Sequence, residues 1–138
     1  MGISTSAQIA FGVDYQNELP KVLNDIMYDE DYEELYDSEE VFLKLVGYDV
    51  DNMEWKEKHE KYKEIPIEII YHCSEEYPMC ILAIKGTRKT AYRGEPKKLD
   101  IRKFLVISQK ENEALAFCEK YGIEDWNPEW LLFSYWSI

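Results

Sequence analysis

Hydrophobic and polar positions follow two rhythms along this chain. Residues 7–13, Ala-Gln-Ile-Ala-Phe-Gly-Val, are apolar but for Gln8 and rich in small side chains. They read as an opening strand in which Gly12 marks a close backbone approach. A polar connection over 14–20 follows. Over 21–28, Val22, Leu23, Ile26 and Met27 recur at helical spacing. Residues 38–46 repeat that spacing. Asp37 is placed to cap this second helix, its early carboxylates suit the positive N-terminal end, and Gly47 suits its stop. A third, more exposed helix is predicted over 51–63, with Asp51 as cap, Glu54 at the third position and Pro66 beyond its end.

The rhythm then shortens to two. Ile67, Ile69, Tyr71 and Cys73 share one side of a half-buried strand over 65–73. Residues 79–84, Met-Cys-Ile-Leu-Ala-Ile, are apolar at every position and suit a central strand covered on both faces. A turn over 74–78 joins the two as a hairpin. Further strands are predicted at 90–93 and 101–107, with a Gly94/Pro96 turn between them. Ser108-Gln-Lys-Glu111 has the spacing of a capping box, which opens a helix running to Tyr121 and stopping at Gly122. That helix is expected to bury Ala114, Leu115, Phe117, Cys118 and Tyr121. Trp130-Leu-Leu-Phe-Ser-Tyr-Trp136 closes the chain as an aromatic strand, buried or at an interface. Homo-oligomerisation through this strand is left open. The order implies one α+β domain over 1–138. Its sheet is mostly antiparallel, of five or six strands, with three to four helices on one face. No internal repeat interrupts it.

Composition narrows the class. With 46% hydrophobic and 14% aromatic residues the chain can bury a core, which decides against disorder. No apolar run reaches the roughly 18 residues of a membrane span, and no signal-peptide pattern opens the chain. A cytoplasmic protein with no membrane partner is expected. Cys73, Cys80 and Cys118 form no C-x-x-C pair and suit buried thiols in a reducing compartment. A Cys73–Cys80 bridge across the hairpin is the lesser alternative.

The formal charge of −12 disfavours direct contact with nucleic acid through the bulk surface. Its distribution says more. Residues 29–40 hold eight acidic side chains and no basic one. Residues 85–103 hold eight of the chain's sixteen basic ones: Lys85, Arg88, Lys89, Arg93, Lys97, Lys98, Arg102 and Lys103. In the acidic run Asp29, Glu30, Asp31, Glu33, Glu34, Asp37, Glu39 and Glu40 alternate with Tyr32 and Tyr36. Aromatic area among fixed negative charges suits a face for a protein partner with a basic surface. Carboxylates there can stand in for the phosphates of a nucleic acid. Asp29, Asp31, Glu33, Asp37 and Glu40 also fall at ligand positions of a calcium-binding EF-hand loop. However, Glu34 occupies the position that needs Gly, and calcium is left open. No metal or other cofactor is assigned.

The basic segment offers Arg88, Lys89 and Arg93 to an anionic ligand or substrate, the alternative reading of the chain. Gly86-Thr-Arg-Lys-Thr90 lacks the spacing of a phosphate loop. His59 and His72 stand at no zinc-ligand spacing, and His72 and Cys73, adjacent on a strand, point to opposite faces. No catalytic residue is assigned, and no enzyme is expected.

Ser4-Thr-Ser-Ala-Gln-Ile-Ala-Phe-Gly12 at one end and Pro128-Glu-Trp-Leu-Leu-Phe-Ser-Tyr-Trp136 at the other resemble small acidic accessory proteins of tailed bacteriophages. The likeness covers the two ends and skips the middle. It implies expression in an infected bacterial cell, and a role in binding and inhibiting or redirecting host machinery. It carries no functional residue.

Overall fold

One long strand organises the sheet. In a computed structural model, which describes residues 4–100, 102 and 108–137, β1 (Ser4–Gln16) is paired on both edges. Residues 4–12 run antiparallel to β5 (Glu129–Ser137). On the other edge, residues 6–9 pair with β4 (Lys89–Tyr92) and residues 12–16 with β3 (Pro78–Ile84). β3 forms the expected hairpin with β2 (Ile67–Ser74), in register from Ile67 opposite Ile84 to Cys73 opposite Pro78. β2 then meets β5 in parallel at Cys73/Tyr135 and Ser74/Trp136. The pairings β1–β3–β2–β5–β1 therefore close a ring, with β4 outside it on β1.

A ring this small needs small side chains inside. Ala10 and Ala83 leave room there for Ile70 and Ile81, and Leu131 and Phe133 pack against the four. Gly12 sits where β1 leaves β4 for β3. A Cβ there would stand 2.1 Å from the carbonyl oxygen of Leu82, so the strands meet only because none exists.

The opposite face of β2 and β3 carries Ile67, Ile69, Cys80, Leu82 and Ile84 into the main core. β3 is thus buried on both faces, which is why it reads as an unbroken apolar run. Among the described residues the helical layer is formed by α1 (Lys21–Met27), α2 (Glu40–Leu45), α3 (Trp55–Tyr62) and α4 (Ser108–Tyr121). Leu23, Met27, Val41, Phe42, Ala114 and Cys118 anchor it, and Ile123 and Trp126 join them beyond α4. Phe42 meets Phe117 and Tyr62 at ring separations of 6.4 and 6.5 Å. α3 buries no residue, in keeping with its polar sequence. Among the described residues no helix is long and apolar enough to cross a membrane.

The single α+β domain matches expectation, and several local readings do not. β1 extends past the polar positions 14–16, because ladder bonds to β3 hold them. The helix expected over 51–63 divides into a 3-10 turn (Val50–Asn52) and α3, separated by extended backbone at Met53 and Glu54. Leu115 on α4 is exposed rather than buried. Tyr71, not Cys73, stands opposite Cys80, and all three thiols are free. Cys73 is exposed, at the end of β2, and not the buried thiol its type suggested. Of the strand expected at 101–107 only Arg102 is described, and its backbone is helical rather than extended; the rest of that stretch and the Ser108 side chain of the proposed capping box lie outside the described residues. Gly122 does end α4, and Ile123 N–H donates to the carbonyl of Cys118 at 2.9 Å.

Candidate functional site

The acidic run is an ordered loop. Residues 28–34 close on themselves through a bridge between Tyr28 and Glu34, and Leu35 N–H donates to the Met27 carbonyl at 2.7 Å. Inside the loop, one oxygen of Asp29 accepts the backbone N–H groups of Asp31 and Glu33, both at 2.9 Å. Tyr32 caps the bend with φ 60° and is 81% exposed. A non-glycine residue holds that conformation only where its surroundings fix it, and here the Asp29 bonds do so. The tip therefore presents a phenol on a rigid support.

Further along, Asp37 starts α2. Its Oδ1 accepts from Glu39 N–H at 3.0 Å and Glu40 N–H at 2.8 Å, while Glu40 Oε1 accepts from Asp37 N–H at 3.2 Å. This reciprocal pair is a capping box with Asp in the hydroxyl's place. Glu40 also meets Lys58 of α3 at 2.8 Å. That hydrogen bond, above all, lowers the Glu40 carboxyl below its ordinary range and raises the Lys58 ammonium. Tyr36 is fixed on both sides: Lys44 lies 5.5 Å from its ring centroid and its hydroxyl donates to Asp51 at 3.3–3.4 Å.

The ten expected contact residues thus divide in two. Asp29, Tyr36, Asp37 and Glu40 build the support. Glu30, Asp31, Glu33, Glu34 and Glu39 make no ion pair among the described residues; the first four are exposed beside Tyr32, whereas Glu39 is half-buried and its field reaches Lys85. Leu35, 55% exposed, adds apolar area to the same face. Asp51 brings a further carboxylate, which sequence spacing alone could not place there.

The basic segment does not converge. Lys85 turns inward, donating to the Tyr62 carbonyl with its ammonium 3.5 Å from the Tyr62 ring centroid. Burial lowers its pKa, against the opposing fields of Glu68 and Glu39. Arg88 faces Glu68 at 3.4 Å. Lys89 lies on β4, and Arg93 is exposed in the turn beyond it. Lys89 instead helps line a cleft of about 120 Å³ with Ile9, Ala91, Lys97, Leu99 and Leu132, which includes neither Arg88 nor Arg93. This cleft was not legible in the sequence, because the closing aromatic strand looks apolar on both faces. The register separates them: Leu131 and Phe133 face the ring, and Leu132 faces outward at 81% exposure.

Several of the remaining reactive groups are occupied structurally, the exposed thiol of Cys73 apart. His72 Nε2 meets Asp14 at 3.2 Å, and its ring lies tilted against that of Phe133 with centroids 5.6 Å apart. Burial pushes the thiols of Cys80 and Cys118 up to about 11 and about 12. It also raises the hydroxyls of Tyr62, Tyr71 and Tyr15, the last of which donates to the Glu124 carbonyl at 2.9 Å. Among the described residues no group of three or more His, Cys, Asp or Glu side chains could hold a metal ion. At the first position of the EF-hand spacing, Oδ1 of Asp29 accepts from backbone N–H groups of its own loop. No family model matches the chain, and neither the curated proteins nor the solved structures contain a match to it.

Proposed function

We propose that this chain is a non-enzymatic bacteriophage accessory protein that binds and inhibits, or redirects, a host protein through the acidic face at residues 29–40. One observation carries the reading: Glu30, Asp31, Glu33 and Glu34 make no ion pair among the described residues and surround an exposed Tyr32, on a loop braced by Asp29. Holding like charges together without neutralising them works against the fold. Such an arrangement is explained by a visitor that supplies the missing cations. A bracing network lets the loop bind without first being ordered, which favours affinity. The partner's chemistry follows: a surface rich in Lys and Arg, of the kind that otherwise holds nucleic-acid phosphates.

The test is affinity capture from nuclease-treated bacterial lysate, comparing the native chain with Glu33→Lys/Glu34→Lys. A protein retained by the first, lost from the second and displaced by added duplex DNA is the expected result. Equal retention by both chains would end the proposal. An anionic small-molecule role is less well supported, since Arg88 is turned to Glu68 and Lys89 and Arg93 share no cleft with it.

A further inference from the structure

We infer that the cleft on β1, β4 and β5 receives Tyr32 of a second copy of this chain, in a head-to-tail contact. The cleft begins from the sheet register. Ile9 lies opposite Leu132 of β5 on one edge and opposite Lys89 of β4 on the other, so these three side chains form one row across the outer face. Leu99 and Lys97, from the segment that follows β4, complete the lining. Nothing among the described residues covers this face: Leu132 is 81% and Leu99 47% exposed. Neither Lys89 nor Lys97 meets a carboxylate among the described residues.

Size and charge identify the occupant. A space of about 120 Å³ is slightly smaller than the ~150 Å³ cavity that accepts benzene. An open cleft of that scale suits a single apolar or aromatic side chain as its anchor. Lys89 and Lys97 in the lining, which meet no carboxylate among the described residues, ask for carboxylates on either side of that anchor. The chain itself displays such a segment. Tyr32 projects from its braced loop, preceded by Glu30 and Asp31 and followed by Glu33 and Glu34. Tyr is the residue type best suited to a single anchoring contact, with large area and few rotors to immobilise. No residue of this loop lines the cleft of its own molecule, so the contact needs a second copy.

The contact is expected to be weak. Each copy carries −12, and the two repel at a distance. The pairing acts only at contact, where salt of about 0.15 M leaves a screening length of about 8 Å. One anchor and a few rim charges make an interface well below the size of a permanent one. Weakness gives it a consequence. A host protein that takes the acidic loop must separate the copies, so self-association would hold the face covered until a tighter partner arrives. This inference shares with the proposed function only the premise that the loop is open to contact.

Sedimentation equilibrium at about 0.15 M salt, with protein up to about 500 µM, provides the test. The apparent mass is expected to rise above the 16.5 kDa of one chain as concentration increases. Tyr32→Ala and Leu132→Asp should each weaken the association by about tenfold or more. Leu132 is so exposed that its replacement leaves the core intact, which far-UV circular dichroism verifies. The decisive arm mixes two variants, Glu33→Lys/Glu34→Lys and Lys89→Glu/Lys97→Glu. Each alone should remain a monomer, and the mixture should recover association. Both remain strongly net negative, so overall attraction cannot be the cause. A constant monomer mass, indifference to Leu132→Asp or a mixture that stays monomeric would each overturn the inference. Leu132→Asp leaves the acidic loop unchanged, so it should still capture a host protein. Failure here and failure of the proposed function are therefore separable.

Discussion

Gly12 and the three cysteines show how single side chains are read differently by their surroundings. A methyl group at position 12 would collide with backbone at Leu82 and Ala83, and backbone cannot swing aside as a side chain can. Gly12→Ala should therefore cost about 3 kcal/mol, near the upper end of overpacking penalties, measured as a shift in the urea midpoint. The thiols differ among themselves by burial. Cys80 and Cys118 lie in the main core, where loss of hydration disfavours the thiolate. Cys73 is exposed. Native protein treated with a thiol reagent near pH 8 should release one equivalent within minutes, assigned to Cys73 by mass spectrometry, and three only after unfolding. Rapid reaction of all three would mean that the core around Cys80 and Cys118 opens freely.

At the level of elements, α2 depends on its first turn. It is six residues long, too short to persist without its cap and its packing. Asp37 satisfies two of its free N–H groups, so Asp37→Ala should destabilise the protein by about 1 kcal/mol. Glu40 adds a pH dependence. Its carboxyl sits below the ordinary range, so its stabilisation is present above the unfolded-state value near 4.3 and is lost as pH falls through the folded-state value. Glu40→Gln should flatten that acid limb in urea midpoints taken between about pH 3 and pH 7. Much at this scale was legible. The hairpin, the position of α4 and the capping of α2 all follow from local pattern, because periodicity, glycine stops and carboxylate caps act within a few residues. The ring was not legible, since the parallel meeting of β2 with β5 and the shared edge of β1 are contacts between distant segments. The break before α3 was missed because Asp51 serves Tyr36, across the fold, rather than its own helix. The carboxylates of the candidate site were plain in the sequence. Its bracing, and the cleft beside Leu132, depend on that tertiary register.

For the whole molecule, charge and stability pull against each other, which separates a binding face from an ordinary solvated one. A net charge of −12 destabilises the compact state by self-repulsion, most where carboxylates crowd. Around Tyr32 no ion pair among the described residues relieves that repulsion, whereas Glu40, a few residues away, has Lys58. Raising salt from about 0.02 to about 0.3 M shortens the screening length several-fold, and the melting temperature should rise. Removing charge at the loop should act in the same direction. Glu33→Gln/Glu34→Gln is expected to raise the melting temperature by about 1–2 °C at low salt, and to lose that advantage at high salt. The same variant should retain less of the captured host protein. A variant that gains stability while losing its partner identifies side chains kept for contact and not for folding. If Gln at both positions lowers the melting temperature instead, those carboxylates serve the fold, and the acidic face loses its claim to a partner.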